Sequence, residues 1–508
     1  MGLAIAKSVS LSGLVGNLIE VEVDIAEGLP GLILLGLPDA ALAESRDRVR
    51  AAIVNSGESW PNRKVTISLS PAWLPKSGSN FDLPIALALI AAQNLLPENC
   101  LEGIVCLGEL SLDGQLKPIR GVLPSVLAAR KNGIKQVLVP MNNYFEASCI
   151  SGIEVIGVQT LSSATEFFRT GLIPEIAPMI GSDELFDSSL DLMDVAGQVR
   201  PRRALEIAAI GGHHLLFIGP PGTGKTMLAE RIPSIMPPLS NDDSLEVTAI
   251  HSIAGNLKER GLLSTLPPFV SPHHTTTAPA MVGGGSHFIK PGATSLAHHG
   301  VLFIDEAPEC ARGVLDSLRQ PLESGSVTIS RSSGSTTYPA KFILVLAANP
   351  CPCGRYSGRG RGCSCSQLSI RRYLQKLSGP LLDRIDIRVF VEPPSRIEMA
   401  SEELGESSAT VRERVMRARQ IASDRFKDFD WKLNSQIPPA QLRKRFAASR
   451  EGMQFLNGEL DKERISARGF HKVLRLAWSL ADSAGNSIPN KDDVVSAYEF
   501  REGTEIFN

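Results

Sequence analysis

The sequence predicts an α/β protein in four stretches: an α/β domain over residues 1–170, a linker over 171–193, a second α/β core over 194–392 and an α-helical region over 393–508. Three observations predict it. Short β-rich runs alternate with helical stretches up to residue 170, and strand-like runs at 215–219, 301–305 and 342–348 alternate with helices up to about residue 390. After "VEPP" at 391–394 the composition turns helical and charged. A chain of 508 residues is too long for a single core.

In the first domain the strands are read at "LIEVEVDIAEG", "KVTISLS", "GIVCLGELSL" and "KQVLVP". The intervening "ALAESRDRVRAAIVNSG", "LPIALALIAAQNLL" and "SVLAARKNG" read as helices. The opening "MGLAIAKSVSLSGLVGN" has no long apolar run, so neither a signal peptide nor a membrane span is expected, and the expected location is the cytoplasm. "LIPEIAPMIGSDELFDSSLDL" lacks apolar periodicity and reads as the linker. In the core, the alternation predicts a parallel sheet with helices on both faces, and "SATVRERVMRARQIASDRF" begins a carboxy-terminal helical lid or bundle. No period indicates a solenoid. The 52 Lys and Arg against 54 Asp and Glu give a net charge of −2, so nucleic-acid contact can come only from local basic patches.

"LLFIGPPGTGKTMLAERI" is an apolar strand, a glycine-rich turn and a helix. In that context the turn Gly219, Pro220, Pro221, Gly222, Thr223, Gly224 offers backbone N–H groups to phosphates, Lys225 reaches the terminal phosphates and Thr226 brings a hydroxyl to Mg2+. "GVLFIDEAPE" ends a second apolar strand in Asp305, a candidate Mg2+ partner, and Glu306, which would orient or deprotonate the attacking water. ATP hydrolysis is expected. A third strand, "KFILVLAANP", delivers Asn349, either a turn residue or a sensor of the γ-phosphate. Arg384 in "LSGPLLDRIDI" either reaches a neighbouring subunit's γ-phosphate in a ring or pairs with Asp383 or Asp386. Arg468, in the first turn of the helix "ISARGFHKVLRLAWSLADS", is a second candidate phosphate contact, with a surface ion pair as the alternative.

Four of the eight cysteines crowd into "NPCPCGRYSGRGRGCSC". Thiolates of Cys351, Cys353, Cys363 and Cys365 can close a tetrahedron on structural Zn2+, the alternatives being reduced thiols or a redox-sensitive disulfide. Between the ligand pairs, Arg355, Arg359 and Arg361 would be presented to DNA, to a neighbouring subunit or to solvent.

"DVAGQVRPRRALEIAAIGGHHLLFIGPPGTGKTMLAERI", "PHHTTTAPAMVGGG", "SLAHHGVLFIDEAPE" and "LSGPLLDRIDI" resemble the ComM/YifB family of magnesium-chelatase-like AAA+ ATPases, nearly end to end. The resemblance implies a hexameric ring that hydrolyses ATP between subunits, with Arg384 acting in trans and Arg468 on the lid in cis. It further implies a DNA helicase promoting branch migration during natural transformation, with recombination proteins as partners; a protein remodeller or a chelatase motor subunit is the alternative. "GELSLDGQLKPIRGVLPSVLAARKNGIKQVLVP" is similar to the Lon protease domain, but Asp82 stands at the dyad serine and Ser125 at the dyad lysine. The fold without the proteolysis is therefore expected of this Lon-protease-like, ChlI-type domain, unless Ser77 or Ser79 works with Lys76. In a ring, "TTTAPAMVGGGSHFIKPG", with Gly284 in its glycine run and His287 and Lys290 beyond it, would face the channel, as would the hairpin "SGSVTISRSSGSTTYPAKF" with Arg331 near its tip. Either stretch can instead be a ring-packing loop. With few aromatics, they suit backbone contact of low sequence preference and high salt sensitivity.

Overall fold

The computed structural model describes residues 2–502 apart from 37–39, 75, 77–78, 176–189, 258–262, 286–288, 332–333, 357–361 and 394–404. The amino-terminal domain holds β1 (Gly2–Ser12), β2 (Val15–Ala26), β3 (Gly31–Leu35), β4 (Lys64–Ser70), β5 (Ile104–Cys106), the small pair β6 (Glu109–Leu110) and β7 (Leu116–Lys117), β8 (Gln136–Pro140) and β9 (Glu154–Val158). Its mixed sheet runs β3-β4-β2-β1-β5-β8-β9. Side chains alternate along β2, with Ile19, Val21, Val23 and Ile25 buried against the helix Asp82–Ala92. That helix is apolar almost all round and lies inside the domain. The segment passed over as merely lacking a spanning helix is β1, which pairs with β2 along its whole length. Two β-branched residues among serines gave it a weak strand signal.

The core sheet contains β10 (Leu215–Ile218), β11 (Phe269–Val270), β14 (Val301–Ile304), β17 (Ile343–Ala348) and β18 (Ile387–Phe390), all parallel, in the order β11-β14-β17-β10-β18. Between them come β12 (Gly283–Gly284) with β13 (Lys290–Pro291), and the hairpin β15 (Ser326–Arg331) with β16 (Gly334–Pro339). β10, β14 and β17 are buried along their whole length, as a sheet covered on both faces requires. One face shares a continuous apolar core with the carboxy-terminal helices: Leu215, Phe217 and Val345 with Val415, Leu474 and Trp478. Among the described residues no helix is long and apolar enough to cross a membrane.

Polar joints hold the amino-terminal domain and the helical region to this core. On the amino-terminal side, Glu146 is buried and accepts from Leu123 N at 2.9 Å, from Asn143 Nδ2 at 3.1 Å and from the Ser252 hydroxyl of the core helix Asn241–Ala254. Burial pushes its carboxyl upward against these donors. On the other side Asp386, just before β18, is buried. Its carboxylate accepts from His214 N at 3.1 Å and is paired with Lys472 of the lid helix Ala467–Ala484, whose ammonium also donates to Arg384 O at 2.8 Å. Burial works against the Asp386 charge, but Lys472 and the adjacent histidines outweigh it and hold the carboxyl well below its usual range. Burial also holds the His214 imidazole down at about 4, so it is neutral and its Nδ1 accepts from Leu344 N at 3.0 Å.

Lys472→Met strands the Asp386 charge in the interior and is expected to cost about 3 kcal/mol of unfolding free energy in urea. A depressed folded pKa stabilises above the unfolded carboxylate value of about 4 and is lost as pH falls through the folded value, so the variant should show a flatter acid limb in the same titration.

Candidate active site

Parallel register fixes where the chemistry-bearing residues emerge. β17 lies between β10 and β14, with Ile218 opposite Ala348 and Ile304 opposite Leu346, so Gly219, Asp305 and Asn349 leave one edge of the sheet. Gly219 is required by close approach: a Cβ there would lie 2.3 Å from Val391 O beyond β18. Gly222 and Gly224 answer a different need, with φ of +77° and +85° and open space where a Cβ would stand. Between them Thr223 Oγ1 donates to Pro220 O at 3.0 Å and closes the turn. Lys225, first residue of the helix Lys225–Glu230, points its ammonium back into the loop at Gly219 O (2.7 Å), Pro220 O (2.8 Å) and Asn349 Oδ1 (3.4 Å). Burial lowers its pKa, while Asp305 and Glu306 support the charge.

Thr226 Oγ1 donates to Asp305 Oδ2 at 2.9 Å. That matches the spacing of about 3 Å between adjacent oxygens on an octahedral Mg2+ with bonds near 2.1 Å, so hydroxyl and carboxylate fit one cation. The other Asp305 oxygen accepts from Glu306 N at 2.8 Å. Glu306 has a φ of +47°, left-handed for a residue with a Cβ, and its half-exposed carboxylate turns out of the sheet toward His274, whose Nδ1 is 3.5 Å away. Two residues of this neighbourhood were not singled out from sequence. One is His274; the other is Gln198, whose amide donates to Thr223 O at 3.3 Å and to Glu392 O, tying the phosphate loop to the end of β18.

The candidate arginines stand apart from this set. Arg384 follows the short helix Gly379–Leu382, donates to Pro380 O at 2.6 Å and pairs with Glu323, a partner not weighed from sequence. Asp383 is taken by Arg468 at 2.8 Å, and the Arg468 side chain is 68% exposed. The two insertions meet: a Cβ on Gly284 would lie 3.6 Å from Arg331 Nη2, and Lys290 pairs in register with Gly284. An open cleft of about 480 Å³ runs between them, lined by Gly283, Arg319, Gln320, Thr328 and Arg331. Arg355 is exposed; His287, Arg359 and Arg361 lie outside the described residues. In the amino-terminal domain, Asp82 is enclosed by Arg48 Nε (3.0 Å), Leu110 N (3.2 Å) and the Ser45 hydroxyl, while Ser125 Oγ donates to Gly121 O at 2.7 Å. The two are not partnered with each other, and Lys76 donates to Pro71 O; Ser77 and the side chain of Ser79 lie outside the described residues.

Cys351 Sγ is 3.4 Å from Cys353 Sγ and 3.7 Å from Cys363 Sγ, the last two being 3.6 Å apart, and Cys365 joins the same cluster. Sulfurs at the corners of a Zn–S tetrahedron with bonds of about 2.3 Å are about 3.8 Å apart, so the residues fit that ion. The Arg355 backbone N–H and then the Cys351 thiol draw the Cys353 thiol down to about 6. The cluster packs on Ile370, Tyr373 and Leu374, and its turn at Gly354 abuts Pro221 of the phosphate loop, where a Cβ would lie 2.7 Å from the proline ring. A second group, Glu246, His298 and His299, is metal-like only in composition. His298 Nδ1 accepts from Lys341 N at 2.9 Å, which leaves the proton on Nε2, donated to Glu246 at 3.0 Å, and no lone pair for a metal.

Comparison with known proteins covers 99% of the chain. Residues 191–399 match the family described as magnesium chelatase, subunit ChlI; residues 21–143 match subunit ChlI of Mg-chelatase, and residues 405–501 its C-terminal part. An uncharacterised protein of Mycobacterium tuberculosis is 49% identical over 504 residues, covering 99% of both chains. The YifB protein of Escherichia coli is 41% identical over 503 residues, 99% of this chain and 97% of its own. The competence protein ComM of Haemophilus influenzae is 39% identical over 513 residues, 99% and 98% of the two chains. A Lon protease of Mycolicibacterium smegmatis is 26% identical over 179 residues, 34% of this chain and 23% of its own. With the α/β amino-terminal domain, the five-stranded parallel core and the helical carboxy-terminal region on the page, these matches assign the chain to the ComM/YifB family of magnesium-chelatase-like AAA+ proteins.

Proposed function

We propose that the chain is an ATP-driven DNA motor, a cytoplasmic ring of six copies that promotes branch migration of recombination intermediates in natural transformation. The observation that carries the hydrolytic part is the Thr226–Asp305 contact of 2.9 Å beside Lys225, Glu306 and Asn349 at one sheet edge. End-to-end similarity to a protein named for competence supports the DNA part.

In this reading the N–H groups of residues 219–224 bind the phosphates and Lys225 turns from its loop carbonyls toward the terminal ones. Thr226 and Asp305 would hold Mg2+, which supplies neutralising charge on the phosphate oxygens when bound. Glu306 orients the attacking water and accepts its proton, and Asn349 aligns the γ-phosphate side. Arg384 serves a neighbouring subunit's site and would have to leave Glu323 to do so; Arg468 serves its own. Gly284, His287, Lys290 and Arg331 meet the nucleic-acid backbone. The four cysteines would hold a structural Zn2+ that stiffens the loop bearing Arg355, Arg359 and Arg361. The Lon-like domain, without a serine–lysine dyad among its described residues, caps the ring or aids its assembly, and recombination proteins are its partners in the cell.

Glu306→Gln should bind ATP and assemble while its turnover falls at least about 100-fold in a phosphate-release assay, whereas Lys225→Ala should lose ATP affinity itself. Forked or four-way-junction DNA should stimulate hydrolysis by the wild type and be migrated by it but not by Lys225→Ala, with binding falling about tenfold or more between 50 and 200 mM salt. No stimulation by either DNA, or stimulation by unfolded polypeptide instead, overturns the DNA reading in favour of a remodeller. Elemental analysis of protein purified without oxygen should find about one zinc per chain, lost in the Cys351→Ser, Cys353→Ser variant, which should keep ATP binding and lose DNA stimulation.

A further inference from the structure

From Ser324 to Leu382 the chain carries eight Lys and Arg and no Asp or Glu, although over the whole sequence the two kinds number 52 and 54. Two of these cations, Arg371 and Arg372, are neighbours on the helix Gln367–Leu374, which Ser366 caps by accepting from Ser369 N at 3.2 Å. The helix has two unlike faces. Ile370, Tyr373 and Leu374 are buried in a cluster with Cys351, against which Cys363, Cys365 and Tyr356 pack. At about 100° of turn per residue, Leu368, Arg371 and Arg372 fall on the opposite side, and all three are exposed.

Neither guanidinium serves the fold through a partner: among the described residues both are without an ion pair or a side-chain hydrogen bond. The positions four residues either way hold Gln367 and Gln375 for Arg371, and Leu368 and Lys376 for Arg372, so no acid stands where a helical pair would form. Lys376 is itself taken by Glu309 at 3.2 Å. Adjacent like charges without a counterion repel rather than stabilise, whereas a planar guanidinium offers paired N–H donors to a phosphate group. The buried face gives this ridge a firm seat, because the cysteine body beneath it leans on Pro221 through Gly354, where a Cβ would lie 2.7 Å from the proline ring.

We propose that Arg371 and Arg372 form a contact site for the sugar–phosphate backbone of DNA, on a different element from the insertions that carry Gly284 and Arg331. The proposal rests on the reading of the chain as a DNA motor, and it places one of that motor's DNA contacts on the cysteine-backed body. Two arginines on two phosphates bind with little regard to sequence and release about two counterions.

The test is equilibrium binding of the full-length protein to a forked DNA, followed by fluorescence anisotropy between 50 and 200 mM salt, in wild type and three double variants. Arg371→Gln with Arg372→Gln should bind about tenfold more weakly at 50 mM salt, near parity at 200 mM, with a slope of log K against log salt shallower by about two. Arg371→Lys with Arg372→Lys keeps both charges and should retain the slope, binding within about threefold of wild type. Lys444→Gln with Arg450→Gln removes two exposed cations of the carboxy-terminal helical region and should leave the slope unchanged. If the paired Gln variant melts below wild type, each single Gln variant gives the same reading, with a slope shallower by about one. An unchanged slope in the Gln variants overturns the site, as does an equal loss in the Lys444, Arg450 variant. Loss of ring assembly by light scattering in the Gln pair also overturns it, in favour of a subunit interface. A wild type that binds the fork while the Gln pair binds it equally well removes this site alone; a wild type that does not bind the fork removes the DNA reading and the site together.

Discussion

The pairing of β17 between β10 and β14 is the constraint on which the rest of the molecule depends. Parallel ladders have fixed register, and a one-residue slip would turn every side chain of a strand to the other face. Here the fully apolar strands Leu215–Ile218, Val301–Ile304 and Ile343–Ala348 are buried on both faces, so packing specifies the register twice over. With the register fixed, the loop after β10, the paired acids after β14 and Asn349 after β17 share one edge, and no side chain of the set needs a long reach. The Thr226–Asp305 contact and the lysine–asparagine contact are consequences of that alignment.

The flanking parts are joined to the same sheet through polar groups whose burial is tolerable only because each is satisfied. Glu146 joins the amino-terminal domain to the helix Asn241–Ala254; that helix, through Asp243 and Glu246, meets His298 and His299 immediately before β14. On the opposite side Asp386, immediately before β18, meets Lys472 of the lid. Removing one partner of such a pair costs more than the pair contributes, so these joints fix orientation more than they add stability.

The convergence of these residues was legible in the sequence because its signal is local: strand, glycine turn, helix, and two further strands ending in Asp305-Glu306 and Asn349. The four-cysteine spacing was legible for the same reason. What escaped were pairings made across the chain. Gln198 bridges the glycine-rich loop to β18, His274 faces Glu306, and Glu323 takes Arg384; the first two lie in stretches that carry the family resemblance, but nothing local to any of the three marks its distant partner. The strand β1 escaped because alternation there is blurred by serines that the sheet buries: Ser8 donates to Cys106 O at 3.0 Å, and burial of Ser8 and Ser10 reads as polarity until the partner strand is known. Asp82 shows the converse. Its identity argued against proteolysis, but only the Arg48, Ser45 and Leu110 contacts say what the carboxylate does instead, which is to fasten a buried helix start to the helix Ala40–Asn55 and to β6.

The cysteine knuckle draws the strand-end logic together. Cys351 follows Asn349 by two residues, so the cluster is anchored to the strand whose end touches Lys225. Gly354, with φ of +75°, brings the knuckle's turn against Pro221, so the same small body also leans on the phosphate loop. A body touching both β17's end and the loop after β10 cannot shift without moving one relative to the other, because neither contact has slack: a single added Cβ at Gly354 would collide with the proline ring. Cross-linking the four sulfurs through an ion would make that body stiff, since among the described residues its apolar support is the small cluster of Ile370, Tyr373 and Leu374 with Tyr356 packed against it. The exposed Arg355 on its surface then moves with the phosphate loop. On the other side of the sheet edge His274 connects Glu306 to the segment leading to Lys290. Two segments thus begin at residues in direct contact with the candidate set, Asn349 with Lys225 and His274 with Glu306, so each lies one layer of contacts from the sheet edge.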